Sequence, residues 1–262
     1  MNAGNNGKIY FLSDFHLGAP NHEESLIREK RIVDFLWRIS ADADEIFIVG
    51  DIFDFWFEYK RVVPKGFVRL LGTLSMLSDK GIGMHFFPGN HDMWVHDYFQ
   101  KEFDCRVYHQ PQDFMLKGKK FFIGHGDGLG PGDHGYKLLK KIFRNPVAKT
   151  LFGILPPYIG MNLADFFSKK SREATGKEEE AKFLGEDNEW LLIYCKEILR
   201  HTHYDYLIFG HRHLPIDYAL GNSRYINLGD WIRYYTYAEF DGAELNLKTE
   251  FEEKEKLIIR RP

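Results

Sequence analysis

Five short apolar runs punctuate the chain: Ile9-Tyr10-Phe11-Leu12, Ile46-Phe47-Ile48-Val49, His85-Phe86-Phe87, Phe121-Phe122-Ile123 and Tyr206-Leu207-Ile208-Phe209. Runs of this length, rich in Ile, Val, Phe and Tyr and followed by Gly, Pro or a polar residue, predict buried strands. Between the first three the period becomes helical. Ile27, Val33, Phe35, Leu36 and Ile39 mark one helix, and Phe67, Leu70, Leu71, Leu74 and Leu77, between Pro64 and Lys80, mark another. Strand, helix, strand, helix predicts right-handed βαβ units around a sheet. After Gln110 the pattern predicts a hairpin, with strands at 114–116 and 120–123 joined by Lys117-Gly118-Lys119. Short strands return at 225–227, 234–240 and 245–251. The expectation is an α/β chain in which two sheets pack face to face with helices outside. One domain would span 8–250, with tails at 1–7 and 252–262.

Residues 131–203 interrupt this rhythm and contain no clear strand. Apolar clusters Leu138-Leu139-Ile142-Phe143, Leu151-Phe152-Ile154-Leu155 and Leu163-Phe166-Phe167 predict helices separated by Asn145-Pro146 and Pro156-Pro157. From Pro131 to Lys177 there are nine Lys or Arg and three acids, a local excess of six positive charges on a chain of net charge −3. One reading is a cap packed on the sandwich with solvated lysines. A surface both basic and apolar also suits an anionic amphiphile or an anionic membrane surface. Within the same stretch, residues 186–200 carry Trp190, Leu191, Tyr194 and Ile198, which read equally as ordinary core.

Each of the five apolar runs leads into side chains of metal-ligand type, and a sixth fragment, Gly229-Asp230, has a similar strand-end setting. The fragments are Asp14-Phe15-His16, Gly50-Asp51-Ile52-Phe53-Asp54, Gly89-Asn90-His91-Asp92, Gly124-His125-Gly126-Asp127, Gly210-His211-Arg212-His213 and Gly229-Asp230. Ligands gather at the carboxyl ends of strands in layered α/β folds, so these fragments are expected at one edge. Imidazole and carboxylate without thiolate suit manganese, iron or zinc better than calcium; Cys105 and Cys195 lie outside every fragment. Two cations about 3.5–4 Å apart need a shared carboxylate to clamp an in-line displacement at phosphorus, and Asp51 is the candidate bridge. Taken singly the fragments have plainer readings, with Asp14 and Asp51 as helix caps and Gly89-Asn90 as a turn. Their coincidence in one chain favours the metal reading.

Composition changes the picture little. A chain of 262 residues, 44% hydrophobic, can bury a large core, and two cysteines make no disulfide framework. Residues 1–8 carry no apolar stretch of signal-peptide or membrane-span length, so a cytoplasmic location is expected. The negative net charge and pI near 6.5 argue against nucleic acid as a partner.

The ordered set D-x-H, G-D-x-x-D, G-N-H-D, G-H and G-H-x-H resembles the calcineurin-like metallophosphoesterase superfamily, which implies a four-layer αββα sandwich. Carried over position by position, one metal would take Asp14, His16, Asp51 and His213, and the other Asp51, Asn90, His125 and His211. His91 would act on the leaving oxygen or the developing charge, with Asp92 orienting it. The inserted segment is similar to the helical lid of the UDP-2,3-diacylglucosamine diphosphatase family through Asp133-His134-Gly135-Tyr136, Thr150-Leu151-Phe152 and Ser171-Arg172-Glu173-Ala174. That likeness implies substrate contacts from Asn90, Asp133, Tyr136, Ser171, Arg172, Lys177 and His211, and two manganese ions. It further implies hydrolysis of a nucleotide-lipid pyrophosphate in lipid A biosynthesis, in peripheral contact with the cytoplasmic face of the inner membrane. The best-known members of that family have arginine where this chain has His91. Two other readings are a phosphoesterase for a different ester and a non-catalytic lipid-binding protein.

Overall fold

The computed structural model describes residues 7–131, 137, 140–143, 145–164 and 182–261. The predicted alternation is present in β1 (Lys8–Leu12), α1 (His22–Ile39), β2 (Ala43–Ile48), α2 (Val68–Asp79) and β3 (Gly83–Phe86). A short α3 (Tyr98–Phe103) and β4 (Arg106–Val107) follow. Next come β5 (Gln112–Leu116), β6 (Lys119–Ile123), α4 (Pro146–Ile154), α5 (Trp190–Leu199), β7 (Tyr206–Phe209), β8 (Pro215–Leu220) and β9 (Ser223–Leu228). The chain then forms β10 (Thr236–Phe240), β11 (Leu245–Thr249), a 3-10 turn at Glu252–Leu257 and β12 (Ile259–Arg261). Among the described residues, two six-stranded sheets form, in the orders β11-β10-β1-β2-β3-β4 and β12-β8-β9-β7-β6-β5.

Successive strand residues point to opposite faces, and the apolar runs use both. Tyr10, Leu12, Ile46 and Ile48 face α1 and α2, where Ile32, Phe35, Leu36, Leu70 and Leu74 cover them. Their neighbours Ile9, Phe11, Phe47 and Val49 meet Phe121, Ile123, Ile208 and Ile226 of the second sheet. The far face of that sheet, with Leu207, Phe209, Ile216 and Tyr225, is covered by Leu191, Leu192 and Cys195 of α5. The layers are helix, sheet, sheet, helix, as expected. Burial of side chains such as Phe11 and Phe121 contributes about 1.5–3 kcal/mol each.

Four features differ from the sequence expectation. Helix α5 lies inside the 131–203 stretch yet belongs to the sandwich, because its apolar stripe fits the outer face of the second sheet. Of the tail expected at 252–262, residues 252–261 are described and are no simple tail: Ile258 is buried, and β12 pairs in parallel with β8 as the sheet's edge. Strand β8, absent from the sequence reading, forms a tight hairpin with β9 in which Leu220 pairs with Ser223. In the predicted β5–β6 hairpin, Lys119 is already in the strand opposite Leu116. The turn proper is Lys117-Gly118, with φ of 46° and 82°, the all-positive pattern that suits strand twist.

Strands β1 to β3 are parallel in one sheet, and β6, β7 and β9 are parallel in the other. The loops after them are stitched together, both across the sandwich and within the second sheet. Trp231 N–H donates to Asp14 O at 3.1 Å, and Gly210 N–H donates to His125 O at 2.9 Å.

Candidate metal centre

The ligand loops take a backbone shape that most residues avoid. Nine described non-glycine residues have positive φ, and five of them are Asp14, His16, Asp51, His211 and His213. Each such residue costs on the order of 1–3 kcal/mol unless its surroundings hold it. Asp14 N–H to Gly50 O (3.0 Å) and His16 N–H to Asp51 O (2.9 Å) lock the first two loops together. Arg28, buried in α1, donates to the carbonyls of Phe15, His16 and Ala19 at 2.8–3.0 Å, so the first loop is held from behind by a guanidinium. The sequence signal was available: Arg28 stands on the apolar stripe of Ile32, Phe35 and Ile39, where a charge has to find buried partners.

The glycines of the motifs serve close approach. A Cβ on Gly50 would fall 2.1 Å from His125 Nδ1, one on Gly210 would fall 2.5 Å from Asp14 Oδ2, and one on Gly89 would fall 2.2 Å from Asp51 Oδ1. Each glycine backs onto a ligand from another loop.

In the first cluster, Asp14, His16, Asp51 and His213 present donor atoms within 4.8 Å of one another. His16 Nε2 lies 3.1 Å from His213 Nε2 and 3.6 Å from Asp51 Oδ2, and His213 Nε2 lies 3.3 Å from Asp14 Oδ1. Donors about 2.1 Å from one cation are roughly 3–3.4 Å apart, so the spacing fits. Asp14 Oδ2 accepts from Ser13 Oγ and from His211 N–H, whereas Asp14 Oδ1, fully buried, has no hydrogen-bond partner among the described residues. That orphaned oxygen is the one facing His213. Behind the ring, Asp230 Oδ2 sits 3.5 Å from His213 Nδ1, and Asp230 Oδ1 accepts the N–H groups of Ile232, Arg233 and Tyr234. Asp230 thus orients His213, a role left unassigned by the sequence.

The second cluster shares Asp51. His125 donates from Nδ1 to Val49 O at 2.8 Å, which turns Nε2 toward Asp51 Oδ2 and Asn90 Oδ1, each 3.3 Å away. Three lone-pair donors converge there, and His211 completes the group. Asp51 Oδ2 is common to both clusters, while Asp51 Oδ1 is held by His91 N–H at 2.9 Å. All seven predicted metal ligands come together, and the donor set and its spacing fit two divalent cations.

The electrostatics agree. Burial opposes charge on His125, yet the Asp51 and Asp14 carboxylates raise its pKa to about 10. His16 is likewise raised well above its ordinary value, with burial outweighed by Asp14, Asp54 and Asp51. Burial and then the charge of His125 lower His211 to about 4. Carboxylates this buried demand positive charge beside them, and ligating histidines must give up protons when a cation supplies it.

His91 and Asp92 divide their roles differently from the sequence expectation. Asp92 does not orient His91: its oxygens accept from Gly89 N–H and Ile52 N–H, both at 2.7 Å, tying the second and third loops together. His91 Nδ1 donates instead to the main-chain oxygen of Asp54 at 2.8 Å. A carbonyl can only accept, so the proton sits on Nδ1 and Nε2 is the nitrogen left for chemistry. Burial lowers the His91 pKa, whereas burial and the Asp51 charge push Asp92 up to about 7. Asn90 and His211, also expected at the substrate, lie in the second cluster. Asp133, Tyr136, Ser171, Arg172 and Lys177 lie outside the described residues.

Two donor clusters that share one carboxylate oxygen, at the strand ends of an αββα sandwich, are the arrangement a metal-dependent phosphoester hydrolase needs. The chain belongs to the calcineurin-like phosphoesterase family, whose sequence profile matches residues 7–215. It is 42% identical over 257 residues to the UDP-2,3-diacylglucosamine hydrolase of Porphyromonas gingivalis, covering 92% of this chain and 97% of that one. The hydrolases of the same name from Haemophilus influenzae and Ectopseudomonas mendocina are 26% and 28% identical. Those matches cover 86% and 91% of this chain, and 91% and 96% of theirs.

Proposed function

We propose that this chain hydrolyses the pyrophosphate bond of UDP-2,3-diacylglucosamine to UMP and 2,3-diacylglucosamine 1-phosphate, a step of lipid A biosynthesis. The observation that carries this reading is the joining of a two-cation centre to an inserted segment with an exposed apolar face. Phe152 of α4 packs on Phe55, Phe57 and Trp94, and Trp94 Nε1 donates to Phe143 O at 2.7 Å. Val147, Leu151, Ile154 and Tyr158 on and after α4 are 62–81% exposed. Beside α4 a cavity of about 370 Å³ is lined by Phe57, Tyr59, Lys60, His96 and Lys149. Apolar and cationic groups side by side support an acylated, anionic substrate and a peripheral site on the cytoplasmic face of the inner membrane. No described helix is long and apolar enough to cross a membrane. The relatives' names support the same substrate.

Two divalent cations, manganese in this reading, would be held by Asp14, His16, Asp51 and His213 and by Asp51, Asn90, His125 and His211, supplying Lewis acidity at phosphorus. A water oxygen bonds to the uridine-proximal phosphorus as the bond to the bridging oxygen breaks, and that oxygen leaves with the lipid phosphate. Arg28, Asp92 and Asp230 hold the ligand loops still during the displacement. His91, fixed by Asp54 O, presents Nε2; an anionic phosphoryl group nearby favours its protonated form, which stabilises the charge on the departing oxygen.

Purified protein with manganese and UDP-diacylglucosamine should release UMP, faster with substrate in detergent micelles or anionic vesicles than dispersed. Turnover of simple phosphodiesters without UMP release would assign the site to another ester. His91→Ala should keep both cations and lower turnover by about a hundredfold or more. The loss should shrink for nitrophenyl esters, whose leaving groups need little protonation. His91→Arg should retain much of the activity. Full turnover of the Ala variant on poor leaving groups would remove His91 from the chemistry.

A further inference from the structure

The inserted segment is fastened at both ends to the loops that carry His125 and His211. At its start, Lys140 reaches back to the loop after β6. Its Nζ lies 2.5 Å from Asp127 Oδ2 and donates to Asp127 O at 2.6 Å, with the two side chains only 17% and 7% exposed. Lys137 Nζ donates to Gly130 O at 2.6 Å. The loop they grip carries Gly126, Gly128 and Gly130, all at positive φ, a backbone with little stiffness of its own. At the segment's end, Arg212, between the ligands His211 and His213, turns away from the metal cluster. It pairs through Nε with Glu189 Oε1 at 2.8 Å and donates to Lys182 O. Both members of that pair are almost wholly buried.

Basic residues of the segment could serve as a solvated recognition surface, but Lys137 and Lys140 do not: their ammonium groups are committed to carbonyls and a carboxylate of the metal loop. A buried charge pair is costly to break, so it fixes geometry more than it adds stability. Because His125 and His211 belong to the same cation cluster, both fasteners reach one site. We propose that Lys140 and Arg212 are positioning residues that register the inserted segment against the His125–His211 cation site, so that a substrate held by the segment meets the phosphorus-cleaving centre at a fixed separation. The identity of that substrate rests on the reading above; the fastening does not.

Lys140 is the residue to test, since removing the buried Arg212 risks misfolding. Lys140→Met should retain two cations per chain and hydrolyse bis(p-nitrophenyl) phosphate within about twofold of the unmodified protein. Its KM for UDP-diacylglucosamine should rise about tenfold or more, the scale of one charge-assisted hydrogen bond. Amide hydrogen exchange in residues 145–164 should quicken by a similar factor. Lys140→Arg should restore both measurements. Equal loss on both substrates, or loss of a cation, would reduce the contact to a support of the metal loop and overturn the proposal, as would a Met variant unchanged in KM and in exchange. Should the unmodified protein fail to cleave UDP-diacylglucosamine, the substrate assignment falls, and the exchange measurement alone decides the fastening.

Discussion

Asp51→Ala should leave at most one tightly held cation per chain and lower phosphodiester hydrolysis on the order of a thousandfold or more, which corresponds to about 4 kcal/mol of lost transition-state stabilisation. The reason is geometric. Asp51 Oδ2 lies 3.6 Å from His16 Nε2 and 3.3 Å from His125 Nε2, so a single oxygen belongs to both clusters. Removing it takes one ligand from each site and the shared negative charge from between two cations. The carboxylate is also what keeps His91 N–H in place, through Oδ1. Elemental analysis of the purified variant, together with turnover of a nitrophenyl diester, provides the check. Two cations per chain with near-normal turnover would rule out Asp51 as the bridge.

A methyl group in the wrong place should do nearly as much damage. Gly89→Ala would set Cβ 2.2 Å from Asp51 Oδ1 and 2.8 Å from Asp51 N, and the second of these is backbone that cannot rotate away. Either Asp51 loses its bond from His91 N–H or the third loop moves off, and both outcomes displace the bridge. We expect a fall in turnover of at least about a hundredfold, the scale of a misplacement near 1 Å at the reacting centre. Gly72→Ala is the control. That glycine lies within α2 with open space around its Cα, so alanine should stabilise the protein by about 0.5–1 kcal/mol without altering turnover. Thermal melting and initial rates on the two variants separate close approach from a general intolerance of alanine. Normal turnover of Gly89→Ala would show that the second and third loops have more room than the structure gives them.

Much of the centre could be read from the chain because the motifs are local. An apolar run followed at once by Asp, His or Gly-Asp states both that a strand ends and what stands at its end. The candidate fragments and Asp51 as the candidate bridge follow from that; the choice of seven ligands among them is what the resemblance to the metallophosphoesterases implies, and the structure brings those seven side chains together. The residues that hold the ligands were harder to read, because their partners are distant in sequence. Asp92 looked like the natural neighbour of His91, yet its carboxylate is spent on the Gly89 and Ile52 N–H groups, and the oxygen that orients His91 is the main chain of Asp54. No side-chain pattern announces a carbonyl. Asp230 stood in a quoted fragment without a role until the fold placed it behind His213.

The amino-acid sequence by itself determined most of the strands, the αββα class and the fragments that carry the candidate ligands, since each depends on residues within a few positions of one another. Only the tertiary structure decided that α5 is sandwich and not insertion, that residues 259–261 form a sheet edge, that Lys140 meets the loop after β6, and that Arg212 turns from its ligand loop to Glu189. An apolar stripe or a lysine carries no mark of its partner. Leu191 fits the second sheet because Leu207 and Tyr225 pack with it, and Lys140 is held because Asp127, in the loop after β6, stands within reach of its ammonium group. Packing between segments tens of residues apart settles such questions.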